Sequence, residues 1–95
     1  MRSVLAGLIL AATAFAAMDM AGDVNAALAR HDFAVAERVV RTYRATHAAD
    51  PEAALAYSLM ARAAADANAL DKAEGYAAET RKIAAGLLKD RALDD

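Results

Sequence analysis

The stretch "HDFAVAERVV", residues 31–40, has a partner 37 residues later in "NALDKAEGYA", residues 68–77. In each, a polar turn residue (His31, Asn68) is followed two positions on by a large apolar residue (Phe33, Leu70). An alanine (Ala36, Ala73) follows three positions after that. The spacing predicts two helical hairpins, each with a large residue opening its second helix and a small one a turn later. A small residue there lets two helix axes approach closely, and the large residue fills the wedge between hairpins.

Working outward, the segments flanking these turns read as helices. Asp23 is a candidate cap for the first helix, with Val24, Ala27, Leu28 and His31 on one face. Asp32 caps the second, whose apolar stripe is Phe33, Ala36, Val39/Val40 and Tyr43, with Glu37 and Arg41 an exposed pair at i and i+4. Asp50-Pro51-Glu52 combines a capping side chain, a proline at the first helical position and an acid in the first turn. The third helix is expected from Pro51 to Ala67, with Leu55, Leu59 and Ala63 on one line and Tyr57, Met60/Ala61 and Ala64 beside it. Asn68-Ala69 turns the chain, since Asn tolerates the left-handed conformation that ends helices. The fourth helix is expected from Leu70 through Lys89.

Composition agrees with an all-α chain. Alanine fills about a third of the sequence, against 4 Gly and 1 Pro, and Ala is the best intrinsic helix former. The formal charge is −2 from 11 basic and 13 acidic residues, too weak to imply a nucleic-acid partner. There is no cysteine, so disulfides and thiolate chemistry within this stretch are excluded.

The N-terminus is a separate object. Arg2 precedes an uncharged run from Val4 to Ala17 that contains the A-x-A pattern Ala14-Phe15-Ala16. These are the parts of a secretory signal peptide, residues 1–16, from which export to the periplasm or outside the cell is expected; an uncleaved anchor and a buried N-terminal helix are the alternatives. The run falls short of the ~20 apolar residues a transmembrane helix needs, so no stable membrane span is expected. Residues 17–95 form the expected helical domain.

The residues quoted above resemble the tetratricopeptide repeat, a helix-turn-helix unit of about 34 residues. Phe33, Ala36 and Pro51 match that pattern, as do Leu70 and Ala73; Tyr57 stands at the family's first large position and Ala61 at its small one. The longer repeat, the long loop before Pro51 and Asp23-Val24 at the Leu-Gly position depart from it. The resemblance implies two stacked antiparallel hairpins that bind a protein or peptide on the concave surface of the first helix of each pair. Tyr57, Ala61 and Arg62 are then the expected partner contacts. The stretch "DKAEGYAAETRKIAAGLLKDRALDD" is also similar to helical regions preceding a thioredoxin-like (redoxin) domain in exported proteins. That resemblance implies a thiol-disulfide enzyme whose catalytic domain lies downstream. "LLKDRALDD" carries no Gly or Pro stop signal, and two repeats fall below the usual three. The chain is therefore expected to be part of a longer protein, to need a partner, or to self-associate as a structural bundle.

Catalytic chemistry finds no constellation. His31 and His47 lie in a turn and at a helix end, without convergent ligands. Ser3 and Ser58 lack a nearby His-acid arrangement, and Gly7, Gly22, Gly75 and Gly86 are isolated. Arg38, Arg41 and Arg44, and later Arg81, Lys82, Lys89 and Arg91, read as solvated faces interleaved with acids, with an acidic partner or anionic lipid headgroups as the alternative. The tyrosines read as inter-helix fillers. The expectation is a non-enzymatic module without a metal or cofactor.

Overall fold

The computed structural model describes residues 19–94, and side chains as far as Arg91. The signal-peptide reading of residues 1–16 lies outside the described residues. Those described form four helices without a strand: α1 (Met20–Ala29), α2 (Phe33–Thr46), α3 (Pro51–Asp66) and α4 (Leu70–Asp94).

Each of the first three starts on an aspartate. Asp19, Asp32 and Asp50 accept the backbone N–H of Gly22, Val35 and Ala53 at 2.8, 3.2 and 3.0 Å. Each satisfies one of the donors that a helix N-terminus leaves unpaired. Asp23 is not the cap of α1: it lies in the first turn, where its charge still complements the dipole. The cap one turn earlier brings Met20 into the helix.

The turns after α1 and α3 are the same structure. His31 and Asn68 carry left-handed backbone angles, φ 57° and 61°. His31 N–H donates to Leu28 O at 2.9 Å and Asp32 N–H to Ala27 O at 2.9 Å. Asn68 N–H donates to Ala65 O at 3.0 Å and Ala69 N–H to Ala64 O at 2.8 Å. These paired bonds are the Schellman helix ending, which satisfies the last carbonyls and reverses the chain in three residues. So short a reversal between helices in contact makes each pair antiparallel: α1 packs against α2, and α3 against α4. The pairs join through α3, which touches both α1 and α2.

The core is built largely from small side chains. Ala27, Ala36, Ala53, Ala56 and Ala64 are fully buried, alongside Val24, Val40 and Met60, with Tyr76 and Ile83 nearly so. On α3 the fully buried line is Ala53, Ala56, Met60 and Ala64, which includes Met60 and Ala64 of the expected stripe, while Leu59 and Ala63 are half-buried and Leu55 is 46% exposed. Almost every position of α3 is apolar, so the pattern does not select a face. Contact geometry does, because the alanine side admits neighbouring backbones most closely.

Two further expectations change. Phe33 is half-buried against the core, but Leu70, its counterpart in the repeat, is 64% exposed. Phe33 reaches Tyr76 of the next hairpin, with ring centroids 6.3 Å apart. Leu70 has no following hairpin among the described residues. Glu37 does not pair with Arg41 but accepts a hydrogen bond from Tyr76. In addition, α4 runs past Lys89 to Asp94.

Candidate functional site

A groove of about 780 Å³ opens between α2 and α4, with Tyr57 of α3 at its base. Hairpin one contributes Glu37, Arg41 and Arg44; hairpin two contributes Tyr57, Lys72, Gly75, Tyr76 and Glu79. The two walls are tied together by polar contacts. The Tyr76 hydroxyl donates to Glu37 Oε1 at 2.8 Å. Arg44 Nη1 donates to the Tyr57 hydroxyl at 3.1 Å and meets Glu79 Oε2 at 3.5 Å. The Arg44 guanidinium also lies 5.7 Å from the Tyr57 ring centroid, within cation–π range.

Helical spacing explains the assembly. Glu37, Arg41 and Arg44 recur at i, i+4 and i+7 on α2, and Lys72, Gly75, Tyr76 and Glu79 follow the same rule on α4. Burial raises the Tyr76 phenol well above the ordinary tyrosine range, and its bond to Glu37 adds to this. The Tyr57 hydroxyl raises Arg44, holding it firmly cationic.

The groove's electrostatics are uneven. Glu37, Arg44 and Glu79 are engaged with each other's walls, while Arg41 and Lys72 have no ion-pair partner among the described residues. At Gly75 an added Cβ would meet nothing within 4 Å, so the helix surface there is open. Three cations against two acids give the groove the opposite sign to the chain as a whole, which is −2.

Of the three residues singled out as partner contacts, only Tyr57 lines this groove. Ala61 is packed against the core cluster, and Arg62 is exposed. The walls are α2 and α4, rather than α1 and α3. Glu37, Arg44, Tyr76 and Glu79 were not singled out from the sequence as one site. Extending the 37-residue comparison to polar residues would have marked two of them, since Glu37 and Arg44 recur as Glu74 and Arg81.

Elsewhere, Tyr43 donates to Asp50 Oδ2 at 2.6 Å, and the His47 ring stacks on Tyr43 at 4.0 Å. His47 Nδ1 also lies 3.0 Å from Tyr43 O, at the α2 C-terminus. These contacts brace the loop into α3. Among the described residues no group of three or more His, Cys, Asp or Glu could hold a metal, and no helix is long and apolar enough to cross a membrane.

Comparison with protein-family models, with curated proteins and with solved structures finds no match.

Proposed function

We propose that this chain is an exported, non-enzymatic helical-repeat module of the tetratricopeptide type, and that its inter-hairpin groove takes an acidic peptide segment of a protein partner. The observation that carries the reading is the groove itself. It is walled by α2 and α4, has Tyr57 and Tyr76 in its lining, and leaves Arg41 and Lys72 unpaired among the described residues. An aromatic lining supplies contact area at low entropic cost, and cations at the rim supply sign selection.

The test is selection of a displayed library of random short peptides on the full chain. Enriched peptides should be acidic, and their binding should fall at least tenfold in the double variant Arg41→Glu, Lys72→Glu and weaken with added salt. Enrichment without acidic bias, or binding indifferent to the double variant, would remove this reading. Export is tested separately, by fusing residues 1–16 to a reporter active only outside the cytoplasm; a silent reporter removes that part.

A further inference from the structure

A second groove, of about 500 Å³, lies on the outer side of hairpin one. Its residues stand in register with the first. Shifting Tyr57, Lys72, Gly75, Tyr76 and Glu79 back by 37 positions gives Met20, Val35, Arg38, Val39 and Thr42, and all five line the second groove. Hairpin one therefore turns outward the positions that hairpin two turns to hairpin one, with apolar Met20, Val35 and Val39 in place of Tyr57, Lys72 and Tyr76.

The complementary wall is present at the other end of the molecule. Hairpin one offers Phe33, Glu37 and Arg44 to hairpin two; the same shift forward gives Leu70, Glu74 and Arg81. All three are exposed, Leu70 by 64%. One end is thus a groove, and the other carries, at equivalent positions, the face that hairpin one turns to hairpin two.

We propose that copies of this chain associate head to tail, with Leu70 of one copy seated on Val39 of the next, as Phe33 is seated on Tyr76 within one chain. Charge does not oppose a second copy as the occupant, and the apolar register carries it. The donor face carries one acid and one base, Glu74 and Arg81, and the receiving groove carries Arg38 and Asp23. The apolar parts also match, since Leu70 meets a groove lined by Met20, Val35 and Val39. Such a contact joins two different faces, so it propagates into an open array or closes into a ring rather than stopping at a two-fold dimer. Each junction repeats the backbone register between the two hairpins, with Val39, Thr42 and Met20 standing where Tyr76, Glu79 and Tyr57 stand, so its contact is apolar rather than polar.

The absence of cysteine makes the test clean. Full-length Leu70→Cys and Val39→Cys chains are mixed and treated with a short bismaleimide. The pair Arg81→Cys and Thr42→Cys, both at exposed positions, repeats the test without touching a packed side chain. Head-to-tail association gives mixed cross-linked dimers severalfold above either homodimer in both pairs. It also gives a wild-type sedimentation mass that rises past the dimer with concentration and falls to the monomer in Leu70→Glu. A wild-type chain that stays monomeric overturns the proposal, as does Leu70→Cys cross-linking only to itself. So does association untouched by Leu70→Glu, which would assign it to other residues.

Discussion

His31 and Asn68, 37 residues apart, hold the same left-handed backbone conformation and close the same pair of hydrogen bonds onto the helix before them. A non-glycine residue in that conformation costs about 1 kcal/mol relative to glycine. His31→Gly and Asn68→Gly are therefore expected to stabilise the fold by about 0.5–1 kcal/mol each, with the larger gain at His31 because Asn tolerates the conformation better. Urea unfolding measures it; destabilisation by both would mean that the turns are not built this way.

The repeat places Ala36 and Ala73 at equivalent positions, yet they differ in burial: Ala36 is fully buried and Ala73 only partly. Ala36→Leu is expected to cost about 1–3 kcal/mol by overpacking, and Ala73→Leu distinctly less. Thermal melts of the two variants decide this. Equal losses would contradict the asymmetry between an inner and an outer repeat.

The Tyr43–Asp50 hydrogen bond joins α2 to the start of α3, and it needs a protonated phenol and an ionised carboxylate. The bond to Asp50 raises Tyr43 from 10.0 to about 12, and the same bond lowers Asp50 below its ordinary value. A depressed acid contributes stability above its unfolded value, lost as pH falls through the folded one. A raised phenol contributes stability below its unfolded value, lost as pH rises from about 10 towards about 12. The stability difference between wild type and Tyr43→Phe should therefore be greatest across neutral pH and shrink at both extremes. A difference that is constant with pH would show that the bond does not carry it.

Much of the architecture was legible in the sequence, and the illegible parts share a cause. Aspartate caps at Asp32 and Asp50, Pro51 at a first helical position and the turn at Asn68 are local signals, set by which side chains reach the backbone beside them. The face of α3 and the fate of Leu70 are not local. With alanine on every side of α3, periodicity cannot choose between Ala53-Ala56-Met60-Ala64 and Leu55-Leu59-Ala63, and the neighbouring helices decide. Leu70 repeats Phe33 in sequence, but burial needs the next element as well. The groove residues were hidden for the same reason. Glu37 reads as the i,i+4 partner of Arg41, and only the placement of hairpin two substitutes Tyr76.

All of this depends on hairpin one resting on hairpin two in the register that stacks Phe33 on Tyr76, 6.3 Å between centroids and 20° between planes. A double-mutant cycle of Phe33→Ala and Tyr76→Ala, read by urea unfolding, measures that contact most directly. Stacked aromatic pairs give a coupling of about 0.5–1.5 kcal/mol beyond buried area, and that is the expected result. Losses that add within about 0.3 kcal/mol would place the two rings apart and contradict the repeat interface.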